Sequence, residues 1–158
     1  MTQVTLPGEP KSHAYNNAQA HVDSIVACYQ LMQLCDQSWS VDTTDLTVDM
    51  VSIIGELLWN EGDGPMALRD ALEQYVQEQH LDIRKHGTAS PWSDEWEISH
   101  YEILLTTGGP ALWMTIEPGL HNVKMIYQEW GIPEHSLPLD SDERDALRWY
   151  AACLGLDA

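Results

Sequence analysis

The chain has 158 residues, with 25 Asp and Glu against 7 Lys and Arg, for a formal net charge of −18. A field of that sign repels phosphate, which excludes direct binding to nucleic acid or an anionic membrane surface and points to a cationic partner. Hydrophobic residues make up 44% of the chain and charged residues only 20%, so the acidity reflects missing bases in a globular composition rather than a disordered acidic tail.

In chain order, residues 1–15, with Pro7, Gly8 and Pro10, read as a loose entry segment. From Asn17 to Gln37, Val22, Ile25, Val26, Tyr29 and Met32 recur at steps of three and four, the spacing of an amphipathic helix. A second helix is predicted from Thr44 to Asn60, with Leu46, Met50, Ile53, Ile54, Leu57 and Leu58 inward and Asp42 or Thr43 as N-cap. Glu61-Gly62-Asp63-Gly64-Pro65 breaks that pattern, and Pro65 suits the first turn of a third helix. This helix turns Leu68, Leu72, Tyr75 and Val76 inward and ends near His80.

After Gly87 the period changes. Trp96–Thr107, Ala111–Glu117 and His121–Trp130 are short segments rich in β-branched and aromatic residues, separated by Gly-Gly-Pro and Pro-Gly turn formers. Leu112, Met114 and Ile116 alternate with Ala111, Trp113 and Thr115, as in a half-buried strand. Asp140 and Glu143 have the capping-box spacing for a last helix, with Leu147, Tyr150, Ala151 and Leu154 as its core side and Gly155 as its stop. The expected fold is α+β: three N-terminal helices, a three-stranded antiparallel meander and a C-terminal helix, with the helices on one face of the sheet. The expected organisation is one domain over 1–158, divided into the entry segment (1–15), a helical part (16–86), the meander (92–132) and the closing helix (140–155).

No apolar run approaches the length of a membrane span and the first ten residues lack a signal pattern, so the chain is expected in the cytosol. Cys28, Cys35 and Cys153 are then reduced thiols. His21, Cys28 and Cys35 recur every seven residues, which on a helix separates neighbours by roughly 10 Å along the axis. Ligands must sit about 2 Å from one ion, so these three cannot share a metal, and neither metal nor cofactor is expected.

There is no nucleophile elbow, phosphate loop or dinucleotide fingerprint. Thr106-Thr107-Gly108-Gly109 reads as a hairpin turn in preference to an anion nest. His100 and Glu102 fall on one side of a strand, a pairing that general acid–base chemistry uses and that a cross-strand salt bridge uses more often.

The carboxylates carry the more specific pattern. Between Ser12 and Leu68 there are eight carboxylates and no Lys or Arg. Asp42, Asp45, Asp49 and Glu56 are spaced by three, four and seven, which places them on one side of the expected second helix. Carboxylates at i, i+4 lie roughly 6 Å apart, close to the roughly 7 Å between phosphates along one DNA strand. Glu61 and Asp63 extend that edge, and Asp94, Glu95 and Glu97 form a second cluster beside Trp92 and Trp96. Exposed Trp beside carboxylates suits an Arg- or Lys-rich partner, whereas Trp in place of the missing Phe suits a core. A third group, Asp140, Asp142, Glu143 and Asp145, is ordinary charge at a helix N-terminus.

The stretch Tyr101-Glu102-Ile103-Leu104-Leu105-Thr106-Thr107-Gly108-Gly109-Pro110-Ala111, followed by the acid–Trp pair Glu129-Trp130, a Pro-containing loop and a closing acidic helix, resembles a family of short acidic proteins of bacterial integrative and conjugative elements. The likeness covers Trp92 to Leu156, and it carries no catalytic residue over to this chain. Leu112-Trp113 stands where the family has a basic or branched residue, and a second Trp in the Pro loop is missing. The resemblance implies a mobile-element protein that blocks restriction enzymes or CRISPR complexes by resembling DNA.

The expected function is therefore that of an inhibitor rather than an enzyme. Asp42, Asp45, Asp49, Glu56, Glu61, Asp63, Asp94, Glu95 and Glu97 would occupy the basic DNA-binding surface of a CRISPR complex or other defence nuclease. This reading admits a homodimer. The alternatives are an immunity or antitoxin protein for a basic nuclease, and a small enzyme using His100 and Glu102.

Overall fold

The computed structural model describes residues 12–37, 41–42, 44, 46–107, 109–131 and 133–157. The fold is α+β, with helices α1 (His13–Gln37), α2 (Val48–Leu57), α3 (Gly64–Gln79) and α4 (Ser141–Cys153). Strands β1 (Asp82–Ala89), β2 (Trp96–Thr106), β3 (Ala111–Glu117), β4 (His121–Gln128) and β5 (His135–Ser136) form one antiparallel sheet in sequence order.

The sheet has five strands where three were expected. Two strands escaped the sequence pattern because neither alternates apolar with polar residues. β1 lies at the sheet edge, and Ile83 and Ala89 are its only apolar side chains. β5 contributes two residues, paired with Ile126 and Tyr127. The part taken as helical up to residue 86 therefore ends at α3, and β1 opens the sheet ten residues before the expected meander.

Alternation along the strands explains the layering. Tyr101, Ile103, Leu105, Leu112, Met114, Ile116, Val123 and Met125 are buried on one face, where they meet Ala18, Val22 and Ile25 of α1, Val76 of α3 and Ala146, Leu147, Tyr150 and Ala151 of α4. Each fully buried Leu, Ile or Met contributes about 1.5–3 kcal/mol. The interleaved residues of the other face, among them His100, Glu102, Leu104, Trp113, Thr115, Lys124 and Ile126, are half-buried or exposed. A second apolar cluster joins Ala27, Cys28, Leu31 and Met32 of α1 to Met50 and Ile53 of α2 and Leu68 and Leu72 of α3. The N-terminal half of α1 thus serves the main core and its C-terminal half the second.

α1 starts four residues before the expected Asn17, so residues 13–15 belong to a helix and not to a loose segment. Its first turn is tied down by Ser12, whose hydroxyl accepts from Tyr15 N, and by Glu129, whose Oε1 accepts from Ala14 N at 2.8 Å. α2 is shorter than expected. Its N-cap is Thr47, whose hydroxyl accepts from Met50 N, in place of the expected Asp42. Thr43 lies outside the described residues. The helix stops at Leu58, which adopts the left-handed conformation (φ 55°) and is 84% exposed, contrary to its expected inward place.

Trp59 then folds back into the second core and donates its indole N–H to the Gly64 carbonyl at 3.0 Å. α3 runs to Gln79 with Pro65 in its first turn. α4 carries the expected capping box: Asp140 accepts from Glu143 N at 2.8 Å, and Glu143 accepts from Asp140 N at 2.9 Å. No helix among the described residues is long and apolar enough to cross a membrane.

Candidate functional site

The predicted carboxylates among the described residues fall into four places: a turn before α2, α2 itself, the 3₁₀ turn after it and the β1–β2 hairpin. Asp42 lies before α2 and off its face; it accepts hydrogen bonds from Thr44 N at 2.9 Å and Thr44 Oγ1 at 2.8 Å. Those bonds hold its carboxyl below the ordinary range. Asp45 lies outside the described residues. Asp49 is exposed in the first turn of α2, where its charge complements the helix dipole. Glu56 is in the last turn of α2 and accepts the Tyr75 hydroxyl at 3.0 Å, which draws it toward α3. The expected helical stripe of Asp42, Asp45, Asp49 and Glu56 is therefore not one helix face, because α2 begins only at Val48.

Glu61 and Asp63 form a 3₁₀ turn ahead of α3, and Asp63 accepts from Asn60 N at 3.0 Å. Around this turn and along α2, Val48, Val51, Leu58 and Met66 are exposed. The outer side of α2 is thus mixed apolar and acidic, unlike a row of phosphates.

Asp94 and Glu95 lie in the loop of the β1–β2 hairpin, and Glu97 follows in β2 opposite Thr88. Ser90 N bonds to the Glu95 carbonyl, and the Ser90 and Ser93 hydroxyls accept from Trp92 N and Glu95 N. This folded loop leaves Trp92 93% exposed and Trp96 55% exposed. No ion pair to the three carboxylates is present among the described residues. Arg84, in the adjoining β1, pairs instead with Asp82, its Nε 3.0 Å from the carboxylate. Trp130 is also exposed, whereas Trp59 is buried, so the indoles divide between core and surface.

The pair His100 and Glu102 gains a third member that the sequence reading missed. In the β1–β2 register His86 lies directly opposite His100 and Arg84 opposite Glu102. The two imidazoles stack with centroids 4.6 Å apart and planes within 2°, and His86 Nε2 is 3.4 Å from Glu102 Oε2. Recognising His86 required knowing that residues 82–89 form a strand.

A small cavity of about 90 Å³ lies between α1, α3 and α4, lined by His21, Cys28, Tyr75, Val76, Leu105 and Tyr150 among others. It does not favour nucleophilic chemistry. Burial, aided by the nearby Glu56 and Cys153, pushes the Cys28 thiol up to about 12, so at neutral pH it is protonated and unreactive. Burial also raises Tyr150 and Tyr75 above the ordinary phenol range and lowers His21. In the Thr106–Ala111 hairpin the Thr106 hydroxyl donates to the Pro110 carbonyl at 3.0 Å, a bond within the turn. Cys28, Cys35 and Cys153 are free thiols.

No protein-family model, curated protein or solved structure matches the chain.

Proposed function

We propose that the protein is an acidic inhibitor that occupies the basic DNA-binding channel of a host defence nuclease, with a CRISPR surveillance complex as its target. The observation that carries this reading is the β1–β2 hairpin, where Asp94, Glu95 and Glu97 are close in sequence to two exposed indoles and make no ion pair among the described residues. Carboxylates replace phosphates as partners of Lys and Arg, while Trp92 and Trp96 stack on guanidinium groups and supply apolar anchoring. Asp49, Glu61 and Asp63 add to the field that steers association. The resemblance of Tyr101–Ala111 to mobile-element proteins supports the same reading.

Its test is competition between the protein and target DNA for purified CRISPR complexes, repeated at rising ionic strength. Displacement of DNA that weakens steeply with salt supports the reading, and coexistence of DNA and protein on one complex contradicts it.

A second reading, an immunity protein for a basic nuclease, is favoured by the exposed Val48, Val51, Leu58 and Met66. Such a protein docks through desolvated apolar anchors as well as charge. Loss of binding on Val51→Asp with little change on reversing Asp94, Glu95 and Glu97 would select it.

A further inference from the structure

We propose that His86, His100 and Glu102 form a binding site for a divalent transition-metal ion of the Zn²⁺ class. The site lies on the face of the sheet turned away from the main core, between β1 and β2. One ligand atom from each residue fits within 4.8 Å of the other two. Ligands about 2.1 Å from a tetrahedral ion lie about 3.4 Å from each other. The observed 3.4 Å between His86 Nε2 and Glu102 Oε2 is that spacing.

Backbone pairing supplies the arrangement. Cross-strand partners hold their Cβ atoms about 5 Å apart, and His86 and His100 are such partners, with Glu102 two residues along the same strand face. For two stacked rings to meet one ion one of them must tilt, and His86, whose Nε2 makes no hydrogen bond, would do so by rotating about χ2, a soft torsion for His, while Ser99 holds His100.

Two further observations point to a ligand. His86 Nε2 is shielded from solvent and makes no hydrogen bond, although it lies beside a carboxylate. Ser99 sets the tautomer of His100. Its hydroxyl donates its one proton to the His86 carbonyl at 3.0 Å, so toward His100 Nδ1, also at 3.0 Å, it acts as acceptor. His100 therefore carries its proton on Nδ1 and presents the Nε2 lone pair, as a metal-ligating imidazole with an outer-shell partner does. Arg84, opposite Glu102 in the register, turns to Asp82 and leaves the Glu102 carboxylate to His86. Two His and one carboxylate leave coordination positions for water on this partly exposed face.

The test is calorimetric titration of the full chain with Zn²⁺, paired with the visible spectrum of the Co²⁺-loaded protein. The expected result is one equivalent bound and an imidazole-coordinated Co²⁺ spectrum. His86→Ala, His100→Ala and Glu102→Gln should each weaken binding by more than about 100-fold, and Ser99→Ala by about tenfold. Circular dichroism confirms that each variant is folded, and Cys35→Ser should bind as the unaltered chain does. Equal uptake by His86→Ala and the unaltered chain, as weak binding to surface carboxylates would give, overturns the proposal. So does uptake lost in Cys35→Ser, or no uptake at all.

Discussion

Gly87→Ala is expected to destabilise the protein by displacing β1 from the sheet. A Cβ at Gly87 would collide with the Glu97 carbonyl oxygen and lie 2.8 Å from Trp96 Nε1. The indole can swing aside, but the carbonyl belongs to the backbone of β2 and cannot. Residue 87 also sits where the β1–β2 register shifts, immediately after His86. Overpacking costs about 1–3 kcal/mol, and a collision with backbone that cannot move falls in the upper part of that range, about 2–3 kcal/mol. Removing a strand glycine returns up to about 1 kcal/mol of chain entropy, leaving a net loss of about 1–2 kcal/mol. For a chain of this length each kcal/mol moves the melting temperature by about 2–4 °C, so the midpoint should fall by about 2–8 °C. Thermal unfolding followed by circular dichroism measures it. An unchanged or higher midpoint would refute the close approach and, with it, the pairing that sets His86 opposite His100.

Two other predictions concern the helices. Asp140→Ala removes half of the α4 capping box and should cost about 1 kcal/mol in urea unfolding; an unchanged transition midpoint would show that the cap is not needed. His21 is held below its ordinary value of 6.5 by burial, so the unfolded chain takes up a proton before the folded one as pH falls. Its contribution is complete above pH 6.5 and is lost as the pH falls from there toward the lower folded value. The slope should stay below about 1.4 kcal/mol per pH unit, since the ring retains some solvent. His21→Gln should flatten this part of the stability profile between pH 7.5 and 5.5, and profiles of equal slope would contradict it.

Which parts of the molecule could be read from sequence follows from what burial imposes. α1, α3, α4 and strands β2 to β4 each bury one face, so Leu112, Met114 and Ile116, or Leu68, Leu72 and Val76, leave a period that can be recognised. β1 is an edge strand with a largely polar composition, held by backbone hydrogen bonds that leave no apolar period. Missing it hid His86. α2 was overextended because Leu46 and Leu58 continue the apolar spacing past its ends, and only the Thr47 cap and the left-handed Leu58 mark where it stops.

For the same reason the four-carboxylate stripe did not survive. Asp42 belongs to a local hydrogen-bonded turn, and helical spacing in sequence has no meaning beyond a helix end. Asp94, Glu95 and Glu97 are near one another in the chain itself, a proximity that needs no tertiary knowledge. Which indoles are exposed could not be read that way: Trp59 and Trp92 each follow an apolar residue (Leu58, Pro91) and precede a polar one (Asn60, Ser93), and only packing buries the first.

The most direct test of the inhibitor reading is the affinity of the triple variant Asp94→Lys, Glu95→Lys, Glu97→Lys for a purified CRISPR surveillance complex, measured beside the unaltered chain by displacement of labelled target DNA. Reversing three charges that face Lys and Arg should abolish displacement at moderate salt while leaving the melting curve in place. Displacement of DNA by the triple variant with undiminished affinity would contradict the account.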